Sequence, residues 1–162
     1  MFDGRYGKIL NLVSEAFSLA RNLGINNLLQ PGLVKEMIIA SALGHEIIKS
    51  KREADAHLPG NPRVLFEYLS CKEGGSGQLD RMFSAPAEKR SQSLSRITRN
   101  RMVYLAIFYA NNQIKLKTIY EIAPNILLRE AERQLNASKN DISHIGISEN
   151  WAKANGNIVY PA

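Results

Sequence analysis

The chain has 162 residues, 44% of them hydrophobic, which is enough for one sizeable core and predicts a single domain over residues 1–162. Its 21 basic residues exceed its 15 acidic ones, and the net charge of +6 favours a polyanionic partner such as nucleic acid. One cysteine excludes an internal disulfide, and no apolar run is long enough for a signal peptide or a membrane span, so we expect a cytoplasmic protein without a membrane partner.

The first part of the chain predicts two helices. Apolar residues recur at helical spacing over residues 6–23, which indicates an amphipathic helix. After a turn, residues 33–43 predict a largely buried helix with Glu36 in its first turn. The apolar stripe of the first helix packs either on its own core or on a second copy of the chain. Residues 6–43 are therefore a candidate dimerisation region.

Residues 45–72 predict a β-hairpin that carries chemically useful side chains. Asp55 lies in its first arm, and the apolar return arm over residues 64–72 contains Glu67 and ends in Lys72. A strand with an acid and a lysine, facing a second acid across a hairpin, can hold a divalent cation beside a water molecule. The hairpin is thus a candidate site for phosphodiester cleavage.

Residues 74–101 predict a DNA-recognition loop region. Closely spaced glycines at its start indicate loose backbone, and the rest is rich in basic and amide side chains. The basic side chains suited to phosphates are Lys89, Arg90, Arg96 and Arg99. Those suited to adenine or guanine edges are Gln78, Arg81 and Asn100. The alternative interpretation is an ordinary solvated basic loop.

The last third predicts a second hairpin followed by a helix. Residues 102–109 form an apolar, aromatic strand, and residues 114–122 alternate as the returning strand. A proline opens a helix over residues 124–135. After Ser138 we expect irregular structure, apart from a short strand at 158–160.

The order of helix, acid on one strand, acid and lysine on the next, and helix resembles the core of the PD-(D/E)xK nucleases. More specifically, the chain resembles type II restriction endonucleases of the PvuII-like group along nearly its whole length. The features that fall in matching order are Leu19-Ala20, Gly24-Ile25-Asn26, Gln30, the hairpin from Val103 to Tyr120, the Pro124 helix, Asp141-Ile142, Gly156 and Tyr160. The resemblance implies an α/β (α+β) fold with a restriction-endonuclease-like core, in which helices flank a central mixed β-sheet.

Carried over residue by residue, the resemblance implies that Asp55 is the first metal-binding acid and that Lys72 orients and activates the attacking water. A regular motif has an acid two residues before the lysine, where both side chains share one face of the strand. In this chain that position is Ser70. Glu67 lies five residues before Lys72 and would face away from it in an unbroken strand.

Three arrangements would complete the metal site, for which Mg²⁺ is the expected ion. A β-bulge between Glu67 and Lys72 would return both to one face. Alternatively, Glu36 supplies a carboxylate from the neighbouring helix. In the third arrangement Ser70 occupies the motif position and a later acid reaches the metal, either Glu73 or Asp80. Zinc is not expected, because one cysteine and three dispersed histidines cannot form a closed tetrahedral site.

These expectations combine into a Mg²⁺-dependent type II restriction endonuclease, a homodimer that cleaves double-stranded DNA at a short palindromic site. The resemblance also makes His144 a candidate base reader. One alternative is a DNA repair nickase or junction resolvase of the same fold. The other is a non-catalytic basic nucleic-acid-binding module in which Asp55 and Glu67 are structural.

Overall fold

The computed structural model describes residues 4–50 and 53–161. The helices are α1 (Gly4–Asn22), α2 (Leu33–Leu43), α3 (Ala87–Thr98), α4 (Pro124–Ala137) and α5 (Glu149–Asn155). The strands are β1 (Glu46–Ile47), β2 (Ala56–Leu58), β3 (Asn61–Lys72), β4 (Ser76–Phe83), β5 (Met102–Tyr109), β6 (Asn112–Ile122), β7 (Ile142–Ser148) and β8 (Asn157–Tyr160). The chain divides into two compact units, the first ending at Val34 and the second beginning at Lys35.

Six strands form a central mixed sheet in the order β1-β2-β3-β5-β6-β8, while β4 and β7 pair separately as a two-stranded ribbon. Strands β3 and β5 run parallel, and the other paired strands of the described chain are antiparallel. The fold is therefore mixed α/β with helices flanking a central mixed sheet, as predicted. No helix in the described ranges is long and apolar enough to cross a membrane.

The two faces of the sheet pack against different helices. On one face Tyr68 and Phe108 form a buried cluster with Ile39 of α2. On the other face Leu69 packs in a second cluster with Ile97 of α3 and with residues of α4. Side chains alternate between the faces of a strand, so even-numbered residues of β3 face α2 and odd-numbered ones face α3. This alternation decides which side chains of β3 can meet.

The structure confirms both N-terminal helices, both hairpins, the helix at Pro124 and the last strand. Two expectations were wrong. Residues 74–101 are not a loop, since they form strand β4 and helix α3, and the segment after Ser138 forms strand β7 and helix α5. The ribbon β4–β7 joins segments that are far apart in the sequence, so neither strand is evident without its partner.

Gly77 explains why a glycine-rich segment forms a strand. A Cβ atom at this position would lie 2.7 Å from Leu105 Cδ1 and 2.8 Å from Leu69 Cβ. Glycine therefore permits β4 to pack closely against the central sheet. Gly74 differs, because its φ of 76° is the left-handed conformation that the turn after β3 requires.

Gly77→Ala is expected to destabilise the protein by about 1–3 kcal/mol, because the added methyl group must displace Leu69 or Leu105. Urea unfolding measures the change. Gly146→Ala on the paired strand is the control, since its Cβ would meet only Ser76 Oγ, at 3.9 Å. We expect the control to stay within about 0.5 kcal/mol of wild type. Equal losses in the two variants would contradict the close packing of β4.

Candidate active site

Asp55 and Glu67 come together where strands β2 and β3 pair. The Asp55 N–H donates to the carbonyl oxygen of Phe66 at 3.1 Å, and Asp55 Oδ2 accepts from the Tyr68 N–H at 2.7 Å. Glu67 lies between these two partners in the sequence, and the charge of Asp55 acts on it. The hairpin therefore brings two carboxyl groups of the predicted site close enough for their charges to interact.

Burial is the main influence on both carboxyl groups. The Glu67 side chain is 13% exposed, and its burial, reinforced by the charges of Asp55 and Glu36, raises its pKa to about 8. Burial likewise raises the pKa of Asp55, against the opposing effect of its hydrogen bond from Tyr68. Ionising both groups together is unfavourable unless a cation compensates for their charge.

One atom of this pair lacks a hydrogen-bond partner. Glu67 Oε2 is buried and accepts no hydrogen bond from the described part of the chain. Buried carboxylate oxygens are normally satisfied. Mg²⁺ is commonly held by one or two carboxylates, with waters and substrate phosphate as its other ligands. Asp55 and Glu67 therefore fit a magnesium ion.

Glu36 lies on the α2 side of the site and acts on it electrostatically. Its charge contributes to raising the pKa of Glu67 and of Tyr68, after the larger effects of burial and of Asp55. Within residues 4–50 and 53–161 no three or more acidic, histidine or cysteine side chains are grouped as a metal site. A metal at this hairpin would thus depend on Asp55 and Glu67, with Glu36 as a neighbouring charge.

The structure does not bring Lys72 or Ser70 to the acid pair. Strand β3 pairs with β5 without interruption from Phe66 to Lys72, so the bulge that would place Glu67 and Lys72 on one face is absent. The five-residue separation points these side chains to opposite faces, roughly 16 Å apart along the strand. Ser70 shares the face of Lys72. The residue two positions after Glu67, on its own face, is the buried Leu69.

Two arginines near the end of α3 face the acids. Arg96 and Arg99 were expected to contact DNA phosphates, but the charges of both act on Asp55 and Glu67 and oppose the rise in their pKa. Arg96 Nη1 also donates to the carbonyl oxygen of Asp80 at 2.8 Å, which ties this side chain to the ribbon. The sequence did not reveal this placement, because it depends on the parallel pairing of β3 with β5.

Asn100 does not face a DNA-binding surface, contrary to the sequence prediction. It is 4% exposed, and its Nδ2 donates to the carbonyl oxygens of Arg96 at 2.7 Å and Ile97 at 3.3 Å. These are carbonyls at the C-terminal end of α3 that the helix itself leaves without partners. Asn100 therefore stabilises the helix end from which Arg99 extends.

Lys89 and Arg90 lie in the first half of α3. Lys89 is exposed and its Nζ lies 5.1 Å from the ring centre of Phe83. Arg90 is half-buried, and its Nη2 donates to Asn136 Oδ1 at 2.8 Å. Both side chains belong to a helix rather than to the flexible loop that the sequence predicted.

The ribbon β4–β7 gathers three of the predicted base-reading side chains. Gln78, Arg81 and His144 are all exposed on it, and His144 Nδ1 lies 2.8 Å from Asp80 Oδ1. Arg81 has a φ of 53°, a left-handed conformation that is unusual for a residue other than glycine, where the ribbon register shifts. Such conformations often occur at functional sites. A two-stranded ribbon also has dimensions that fit a DNA major groove.

An aromatic cluster that the sequence did not predict lies beside Asp55. His45 stacks on Phe66 with 3.8 Å between ring centres, and its Nδ1 lies 2.8 Å from the Tyr68 hydroxyl oxygen. Burial lowers the pKa of His45. Tyr104 packs edge-on against the same rings. The cluster fixes the part of β3 whose Tyr68 N–H holds Asp55.

No family model fits the chain, and no curated sequence is significantly similar to it. The features of the chain that bear on its function are therefore the acid pair, the two arginines and the exposed ribbon.

Proposed function

We propose that this chain is a Mg²⁺-dependent type II restriction endonuclease that hydrolyses double-stranded DNA at the Asp55–Glu67 pair. The observation that carries the proposal is the buried Oε2 of Glu67, which lacks a hydrogen bond and lies beside a second carboxyl group. The net charge of +6 supports a polyanionic substrate.

In this proposal Asp55 and Glu67 hold the metal, and the Tyr68 N–H keeps Asp55 oriented. The bound ion would polarise the scissile phosphate and lower the pKa of water. Hydrolysis joins the oxygen of water to phosphorus and breaks the bond from phosphorus to the leaving sugar oxygen. The water loses a proton to solvent, and the leaving oxygen takes one from solvent.

The ribbon is the proposed base-reading element. Gln78 has the amide geometry for adenine, and Arg81 has the two donors that suit guanine. His144, held near Asp80, offers its other ring nitrogen to a base edge. Lys89 lies on the neighbouring helix and suits a phosphate contact, which positions the duplex without reading its sequence.

Arg81→Gly is expected to raise the free energy of unfolding by about 1 kcal/mol and to weaken DNA binding. Glycine removes the cost of the left-handed backbone at this position, but the guanidinium is lost. Urea unfolding and fluorescence anisotropy with a plasmid fragment in EDTA measure the two effects. Arg133→Ala, which removes an exposed arginine of α4, is the control. Wild-type DNA affinity in Arg81→Gly would contradict a recognition role for this residue.

The function itself is tested by incubating a sequenced plasmid with the chain, either with Mg²⁺ or with EDTA. Discrete double-strand fragments that form only with Mg²⁺ are the expected result. Nicked circles, or cleavage confined to branched DNA, would instead identify a nickase or a resolvase. An intact plasmid under all conditions would overturn the proposal.

The proposed active form is a homodimer that uses helix α1. This helix carries large apolar side chains that are each more than half exposed: Tyr6, Ile9, Leu10, Leu12 and Leu19. Such an apolar surface is typical of an interaction site. A two-fold symmetric dimer also matches a palindromic DNA site.

A non-catalytic DNA-binding module is the second candidate function. The observation that favours it is Leu69, which stands two residues after Glu67 where the motif has a lysine. In that case the plasmid would stay intact with Mg²⁺ and would still be retarded in a gel. The acids would then contribute only to folding.

A further inference from the structure

Arg99 forms an ion pair with one member of the acid pair. Its Nη2 lies 3.7 Å from the unsatisfied Oε2 of Glu67, which is beyond a hydrogen bond but within an ion pair. The Arg99 side chain is 31% exposed and that of Glu67 is 13% exposed. The Arg99 side chain therefore contacts a largely buried carboxyl group while part of it stays exposed to solvent, from which a substrate would approach.

No other basic residue of the predicted site is placed in the same way. Lys72 points to the opposite face of β3, and the position two residues after Glu67 is Leu69. Arg96 is near the acids, but its Nη1 is engaged by the carbonyl oxygen of Asp80 and by Met82 Sδ at 3.7 Å. Arg99 comes from outside β3, at the end of α3, where its backbone N–H donates to Ser95.

The geometry points to Arg99 as the phosphate-holding catalytic residue of this site, in place of a lysine on β3. The inference rests on the proposed nuclease function. Without a metal, the Arg99 guanidinium is the positively charged group paired with the Glu67 carboxyl group. A cation held by the two carboxylates would neutralise their charge, and the Arg99 guanidinium would then be free to donate to the non-bridging oxygens of the phosphodiester. The two parallel N–H donors of a guanidinium match the two non-bridging oxygens of a phosphodiester better than an ammonium group does.

Metal affinity without DNA is the first test, measured by titration calorimetry with MgCl₂. Arg99→Ala removes a positive charge that competes with the ion, so we expect Mg²⁺ to bind about tenfold more tightly. Arg99→Lys retains the charge and is expected to bind Mg²⁺ as wild type does. Arg133→Ala, which removes an arginine from α4, controls for net charge and is expected to leave the affinity unchanged.

Single-turnover cleavage of plasmid DNA at saturating Mg²⁺ is the second test. Arg99→Ala is expected to cleave at least about 10²-fold more slowly, and Arg99→Lys is expected to lose part of the rate. Tighter metal binding with slower cleavage is the signature of the proposed role, because a merely structural defect would not strengthen metal binding.

Two results would overturn the role of Arg99. One is wild-type cleavage by Arg99→Ala, and the other is slower cleavage with unchanged or weaker Mg²⁺ binding. Failure of the proposed function is seen separately, since the wild-type chain would then leave the plasmid intact. Lys72→Ala serves as the matched lysine variant, and an effect on cleavage as large as that of Arg99→Ala would also contradict the inference.

Discussion

Asp55→Asn is expected to reduce Mg²⁺-dependent cleavage about 10³-fold or more while leaving the fold intact. Asparagine retains the size of the side chain and an oxygen that can accept from the Tyr68 N–H, but it removes the negative charge. A metal ion contributes several kcal/mol to charge stabilisation, and each 1.36 kcal/mol corresponds to about tenfold in rate. Single-turnover rates on plasmid DNA measure the loss.

Asp141→Asn is the matched control for this variant. Asp141 is exposed before strand β7, and within the described residues its backbone carbonyl accepts a hydrogen bond from the Ser84 N–H. We expect wild-type cleavage and a wild-type unfolding transition for the control. If Asp55→Asn also cleaved at the wild-type rate, the chemistry would lie elsewhere in the protein.

The second large effect concerns stability and pH. In EDTA the wild-type protein is expected to lose stability as the pH rises from about 4.5, the ordinary pKa of glutamate, to about 8, the pKa of Glu67 in the fold. Over this range the folded protein retains a proton that the unfolded chain releases. Below it both states are protonated, and the stability contribution is fully present. The loss of stability is complete above about pH 8, where Glu67 is ionised in the folded protein as well.

Glu67→Gln is expected to remove the part of this pH dependence that Glu67 contributes, because glutamine stays neutral throughout, and to leave the smaller loss between about pH 4 and 6 that comes from the raised pKa of Asp55. At pH 8 the variant should be more stable than wild type by on the order of 2 kcal/mol in EDTA. Urea unfolding at pH 5, 7 and 8 measures the difference. Mg²⁺ should stabilise wild type at pH 8 more than it stabilises the variant. Parallel stability curves for the two proteins would refute the buried, ionisable state of Glu67.

The elements predicted correctly are those whose pattern is local. The apolar spacing of residues 33–43 and the aromatic run of residues 102–109 identify a helix and a strand without reference to any partner. Strands β4 and β7 could not be identified in this way. The register of the ribbon joins Ser76 to Ser148, so its existence depends on long-range pairing.

The residues of the candidate site likewise divide into those brought together by local structure and those brought together by long-range pairing. Asp55 and Glu67 are close in the sequence, and a hairpin is enough to bring them together. The alternation of side chains along a strand already predicted that Glu67 and Lys72 point to opposite faces, and the unbroken pairing of β3 agrees with that prediction. Arg99 could not be assigned to the acids from sequence, because its position follows from the pairing of Glu67 with Val103 on β5.

The parallel pairing of β3 and β5 has a consequence for the folding kinetics of this protein. Asp55 meets Glu67 by closing a short hairpin, which is a fast and local event. Arg99 reaches them only after the long connection that contains β4 and α3 has closed, and such non-local closure is slower. The carboxylates are thus assembled before their counter-charge arrives. Conditions below about pH 4.5, which keep Glu67 protonated while the hairpin is still exposed, are expected to speed the later step, because no carboxylate charge then has to be buried.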